Sequence, residues 1–512
     1  MTTFAVRSRR AALVAVALLS GPGCASWVHP VSLTPPLPMV PPARYQVEAI
    51  EPRGGRPAQV EDGRPDAGRA PPPANPNAAQ EPWWTAFGDR ALDGLIQEAM
   101  AHNWVLRDLR GLYHENLLDK ALPNGPLWPL QIGAPAVIQR SRRGAPAALG
   151  SPAYFLANNE ASIGLTATYE VDVFGQLDIQ KKVLTDAAEI QAQNAEAGAQ
   201  GIAVQVAQVW FDTLAQRVLL ETLERRVRLN EDLQRLVRGR FELRLTSRLA
   251  VLQQEQLLLG TRAQVPLVKA RLALLGSQLT SLLGRPPTPS PDLVPLDREL
   301  PDLPPHEPVG VPADLVKTSP EVRLAQLRVA EAQHRVSQNR ASWLPTVSVF
   351  ANAGLQAFDL RQPGNFDGEN PNSFQTWGLG LRLTWPIFDG GQRLTEARQL
   401  TMTVKRRNML YEQAFLEAVR RVQDAQVQEA KQADNVKALQ DQVVLGRKVL
   451  TEARQLYEQG SSDYLAVLTA LANLSELENT LILARRILLT YRIELYRALG
   501  GTWSRAVVEV ID

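Results

Sequence analysis

The chain has 512 residues, and its 55 Lys and Arg against 53 Asp and Glu leave a formal net charge of +2, which excludes the basic footprint of a nucleic-acid binder. Apolar side chains make up 45% of the residues, enough for a sizeable core. Mean hydropathy is −0.17, and no mid-chain run approaches the ~18 apolar residues of a membrane-spanning helix.

Arg7, Arg9 and Arg10 precede an apolar run over residues 11–19, too short to cross a bilayer, so residues 1–23 read as an export signal. Cys24 follows it, the only cysteine, which forbids an intramolecular disulfide. Its place resembles the lipobox of bacterial lipoproteins, whose cysteine is acylated. Gly23 fits that pattern, Gly21 and Pro22 depart from it, and Ala25 in place of Asp implies sorting to the outer membrane. Residues 24–82 are rich in Pro, Gly, Ala and Arg, a composition that buries too little apolar surface to offset its ordering entropy, and read as a tether.

Order begins at Trp83-Trp84-Thr85-Ala86-Phe87, followed by an amphipathic helix with Leu92, Leu95, Ile96, Ala99 and Met100 on one face. The period then changes from helical to alternating. Ile163, Leu165, Ala167, Tyr169 and Val171 alternate with Ser162, Gly164, Thr166, Thr168 and Glu170. Trp377, Leu379, Leu381 and Leu383 alternate with Gly378, Gly380, Arg382 and Thr384. Each such strand has a weaker upstream partner, at residues 131–140 and 346–355, with which it is expected to form a hairpin. Alternating strands of this kind fit outer-membrane strands and also a half-buried soluble sheet. Long runs almost free of Pro and Gly follow each hairpin, from residue 175 and from residue 391. At 1.5 Å per residue, ~65 residues make a rod of roughly 100 Å. Leu272, Leu275, Leu279 and Leu282 alternate spacings of three and four, the seam of a coiled coil.

The same order of elements occurs twice. Leu249-Ala250-Val251-Leu252 returns as Leu465-Ala466-Val467-Leu468, 216 residues on, and the same offset carries Pro129 onto Pro345 and Gly284 onto Gly500. An internal tandem duplication is expected, with residues 83–300 as the first repeat and 301–512 as the second. The first holds strands near 129–140 and 160–173 and helices near 175–241 and 247–284. The second holds strands near 346–356 and 376–387 and helices near 391–459 and 462–500.

No active site is legible. The five histidines show no metal-ligand spacing, and Tyr113-His114-Glu115-Asn116 lacks the second His of a zinc motif. Neither a dinucleotide fingerprint nor a phosphate-binding loop is present, so no cofactor and no enzymatic reaction are expected.

Taken together, Trp83-Trp84-Thr85-Ala86-Phe87, Glu170-Val171-Asp172-Val173-Phe174-Gly175, Leu283-Gly284-Arg285-Pro286-Pro287, Pro386-Ile387-Phe388-Asp389-Gly390-Gly391 and Leu499-Gly500-Gly501-Thr502-Trp503 resemble the outer membrane factor family, in particular its lipoprotein drug-efflux branch. The resemblance implies a mixed α/β membrane protein. Three chains each give four strands to one 12-stranded outer-membrane β-barrel, continued by an α-helical coiled-coil barrel in the periplasm. Independently, four strands are too few to close a barrel of at least eight, so chains must share one. The implied function is a passive exit duct for small molecules such as drugs. Its partners are two further copies, a periplasmic adaptor (membrane fusion protein), an inner-membrane pump and outer-membrane lipid. Alternatives are a duct for type I protein secretion or metal efflux and, in a different class, a lipid-anchored periplasmic structural coiled-coil protein.

Two features, at three positions, depart from the family. Arg244 stands where a tip turn normally has Gly, kept in the second copy as Gly460, and Ala250 and Ala466 stand where many relatives have Asp. The candidate periplasmic gate residues are then Arg244, Arg248, Asp463 and Tyr464, with Asp463 expected to pair with Arg244 or Arg248.

Overall fold

The computed structural model describes residues 82–121, 129–145, 154–289, 300–304, 315–361, 372–501 and 503. The signal, Cys24 and nearly all of the Pro-rich tether lie outside the described residues.

A 3-10 turn at Trp83–Phe87 leads into α1 (Arg90–His102) and α2 (Trp104–Ala121). Then come β1 (Leu130–Gly133), β2 (Ala136–Ala145), β3 (Tyr154–Val171), α3 (Gln176–Glu242) and α4 (Arg248–Leu282). After them lie α5 (Leu315–Thr318), α6 (Pro320–Ala341), β4 (Thr346–Arg361), β5 (Asn372–Thr384), α7 (Gln392–Glu458) and α8 (Tyr464–Leu499). Both α3 and α7 have 67 residues. Contacts divide the chain into two units, one built on His114–Ile190 and Gln326–Met409, the other including Gln191–Ala325 and Leu410–Asp512.

The first unit carries one antiparallel sheet in the order β1-β3-β4-β5, with β2 also pairing β3. The two expected hairpins are present, and β3 pairs with β4 to join them. The upstream strand of the first hairpin is split in two at Pro135. Proline has no N–H to give a ladder, but the Pro135 carbonyl still accepts from Gly164 N at 3.1 Å. The strands also run further into the expected loops, β3 from Tyr154 and β4 to Arg361. Asp389 turns β5 into α7. Its carboxylate accepts from the backbone N–H of Gly391 at 3.0 Å and of Arg393 at 3.1 Å, and pairs with the Arg393 side chain at 2.6 Å. The hydrogen bond from that guanidinium holds the Asp389 carboxyl below the usual carboxylate range.

The second unit is helical. Its largest core cluster joins Trp83, Trp84 and Phe87 to Trp210, Phe211, Tyr496 and Trp503. Trp84 meets Trp503 edge-on at 4.6 Å, and buried Trp210 donates to Asp89 at 3.0 Å, the same carboxylate that caps α1. Smaller clusters recur at the 216-residue offset. Leu223, Val268 and Leu272 between α3 and α4 correspond to Leu439, Ala484 and Leu488 between α7 and α8. Gly284 and Gly500 correspond as well. Both have positive φ, and a Cβ on either would stand 2.2 Å from a carbonyl oxygen, of His102 and of Thr318 respectively. Only glycine permits that approach.

Candidate functional site

Two places combine polar chemistry with unusual exposure: the faces of the sheet and the tips of the helical hairpins.

Side chains alternate across the sheet by strand geometry, and the register sorts them consistently. Leu381 opposes Val349, which opposes Tyr169; Leu379 opposes Ala351 and then Ala167. This face is apolar and turned outward, with Trp377 82% and Leu381 76% exposed. On the other face Arg382, Ser348 and Glu170 stand in one row. The Arg382 guanidinium lies 5.1 Å from the Phe350 ring, a cation–π contact. The ring itself lies over Gly380, where a Cβ would come within 2.7 Å of it. Further along, the Glu160 carboxylate accepts from Gln139 and Gln356, tying β2, β3 and β4. One face is oily and the other is wet, as the period-two pattern predicts.

At the tips, α3 ends in a turn closed by Arg244 N to Phe241 O at 2.9 Å and Leu245 N to Arg240 O at 2.8 Å. The α7 end has the same geometry, with Gly460 N to Tyr457 O at 3.0 Å and Ser461 N to Leu456 O at 2.9 Å. Gly460 takes φ 77° and Arg244 φ 58°, so a side chain stands in a left-handed position.

The four tip candidates separate. Arg244, Arg248 and Asp463 are exposed, whereas Tyr464 is 1% exposed. The expected ion pair is not formed within the chain. Asp463 instead caps α8, accepting from Tyr464 N at 2.6 Å, as Ser247 caps α4. A carboxylate is the better cap because it also faces the positive helix end. The Tyr464 hydroxyl donates to Gln254 Oε1, and Gln254 Nε2 donates to the Asn230 carbonyl at 2.7 Å. Burial, with Tyr457 beside it, pushes the Tyr464 pKa up to about 12. Arg240 lies 4.7 Å from the Tyr457 ring and donates to the Glu458 carbonyl at 3.1 Å. Gln254, Asn230 and Arg240 were not legible as tip residues, since a polar residue buried between helices looks in sequence like any solvated one.

A profile of the outer membrane efflux protein family matches residues 129–285 and 311–501, most of the described chain. The chain belongs to the outer membrane efflux protein family. It is 26% identical over 354 residues to the solvent efflux pump outer membrane protein SrpC of Pseudomonas putida, covering 68% of this chain and 72% of that one. It is 27% identical over 460 residues to the pyoverdine export outer membrane protein OpmQ of P. putida, covering 86% and 94%. The outer membrane protein VceC of Vibrio cholerae shares the fold, with a TM-score of 0.69 at 19% identity, covering 82% of this chain and 98% of that one.

The sheet therefore offers one apolar and one polar face. Among the described residues no helix is long and apolar enough to cross a membrane, and no cluster of His, Cys, Asp and Glu could hold a metal. The family places the protein in efflux at the outer membrane.

Proposed function

We propose that three copies of this chain close a 12-stranded barrel, four strands from each, and continue it as a helical tunnel into the periplasm. Small molecules handed over by an inner-membrane pump and a periplasmic adaptor leave through it. The sheet carries this reading. Its outer strands, β1 with β2 at one side and β5 at the other, have no second neighbour among the described residues, while its apolar face is open. An unpaired backbone group in lipid costs several kcal/mol, so the edges must be closed by strands of other copies. The apolar face then meets lipid, and the row of Arg382, Ser348 and Glu170 meets the lumen. Exposed Leu245, Leu252 and Leu259, spaced by sevens on or beside α4, support a helical seam with another copy.

The two repeats, residues 83–300 and 301–512, are in this reading the products of a tandem duplication. Cys24 carries the lipid anchor after residues 1–23 are removed. The tips bearing Arg244, Arg248, Asp463 and Tyr464 form the closed end. The names of SrpC and OpmQ support a small-molecule cargo over a polypeptide. The test is the oligomeric mass of the purified protein together with its conductance in planar bilayers. A folded monomer that carries no current overturns the reading.

A further inference from the structure

The apolar face of the sheet can be followed row by row along the register. It starts at Val171, Val347 and Leu383, where β3 and β5 run on toward α3 and α7, and reaches Ile138, Ala161 and Ala357 at the far end. Over that span no position on this face carries a charge. The next row is Arg140, Asn159 and Asp359, and beyond it come Arg142, Ala157 and Arg361. The change is abrupt. Ile138 is 90% exposed, and Arg140 on the same strand is exposed too and forms no ion pair among the described residues. Strand alternation puts Arg140, Arg142 and Arg361 on this face and Arg143 on the other.

The height at which the arginines begin fits a membrane boundary. From Val347 to Ala357, at about 3.4 Å per residue, β4 covers roughly 34 Å. A barrel strand tilted by about 40° turns that length into a height of roughly 25 Å, the apolar band of an outer-membrane barrel. A guanidinium is costly at the bilayer midplane and nearly free of cost at its edge. The arginine rows therefore start where the apolar band stops, at the end of the sheet away from the helices.

Guanidinium groups bind phosphate through paired, parallel N–H donors, which ammonium groups cannot offer. Three arginines against the single carboxylate of Asp359 leave these two rows net positive. Directly below them stand exposed Ile138 and Ile163, so a ligand here meets water-averse surface and positive charge together. Only an amphiphile with an anionic head satisfies both. The rows extend over β2, β3 and β4, about 10 Å across and about 7 Å along the strands. That area exceeds one phosphate group and suits a head group bearing two.

We propose that this rim is a docking surface for a phosphorylated glycolipid of the outer leaflet, a disaccharide carrying two phosphates and several acyl chains. Arg140, Arg142 and Arg361 hold the phosphates, and the acyl chains lie against Ile138 and Ile163. The inference rests on the barrel reading above. It adds which lipid the barrel selects and where.

The test is native mass spectrometry of the purified protein after incubation with bis-phosphorylated lipid A, with its dephosphorylated form or with phosphatidylglycerol. The oligomeric mass is read from the same spectra. Bis-phosphorylated lipid A is expected to stay bound several-fold more than either of the others. Arg140→Gln with Arg142→Gln and Arg361→Gln should lower its retention to that of the dephosphorylated form at unchanged oligomeric mass. Arg140→Gln alone should lose part of it, which covers a triple variant that does not assemble. Arg143→Gln, on the other face, should retain it. Equal retention of all three lipids by the unaltered protein overturns the proposal without any variant. Full retention by a triple variant of the right mass overturns the assignment to these arginines. Phosphatidylglycerol held as well as lipid A, with both lost in the triple variant, overturns the choice of glycolipid. A monomer by mass overturns the barrel reading itself.

Discussion

Arg492 of α8 grips Glu429 of α7 with two donors, Nη2 at 2.6 Å and Nε at 2.8 Å, and the two side chains are only 3% and 2% exposed. The remaining Nη1 donates to the Pro304 carbonyl at 2.7 Å, so the pair also fastens the start of the second repeat. A buried pair of this kind is dangerous to halve, because removing one partner strands a charge away from water. Glu429→Ala should destabilise by about 3–5 kcal/mol, read as a lower denaturation midpoint. Replacing both residues with Leu should cost far less, and equal losses in the two variants would show that the charges are not what matters.

Tyr464 makes the tip sensitive to alkali. Its folded pKa of about 12 lies above the unfolded value of 10.0. The folded chain therefore keeps a proton that the unfolded chain gives up, and stability present below pH 10 falls as pH rises through about 12. Tyr464→Phe loses the hydrogen bond to Gln254 at neutral pH but should flatten that alkaline slope. Thermal melts across the range check it, and an unchanged slope would mean that another group titrates.

Arg244 occupies a left-handed conformation that costs an L side chain roughly 1–2 kcal/mol, while glycine returns part of that gain as unfolded-chain entropy, about 0.5–1 kcal/mol. Arg244→Gly should thus stabilise by up to about 1 kcal/mol and match the turn at Gly460. Denaturant titration measures it; a destabilised variant would show that the arginine makes a contact worth more than its strain.

The sheet register separates neighbours. Leu381→Arg puts a charge on the apolar face and should cost about 2–4 kcal/mol if it lies near the bilayer midplane. Arg382→Ser should leave stability nearly unchanged and alter ion selectivity in planar bilayers. Should the two behave alike, the assignment of faces is wrong.

Asp463 bears on the closed end. Asp463→Ala removes the cap of α8, worth about 1 kcal/mol, and if the tips close the tunnel it should raise basal single-channel current. Unchanged current would leave Asp463 a helix cap and nothing more.

Much of this protein was determined by local sequence. Period-two alternation from Ile163 and from Trp377 sets which face of each strand is oily, because a strand offers only two faces. Long runs without proline and nearly without glycine from Gln176 and Gln392 make helices, and Gly460 ends one of them, since a left-handed turn suits a residue without a Cβ. The 216-residue offset is likewise written in the residues themselves. What needed the tertiary structure was pairing between distant segments. Nothing near Tyr464 in sequence points to Gln254, 210 residues away, or near Glu429 to Arg492, 63 away. Asp463 was a charge in search of an arginine until the start of α8 presented a free N–H to it. Side chains of one composition are solvated or buried according to which helix packs over them, and packing is a property of the whole chain.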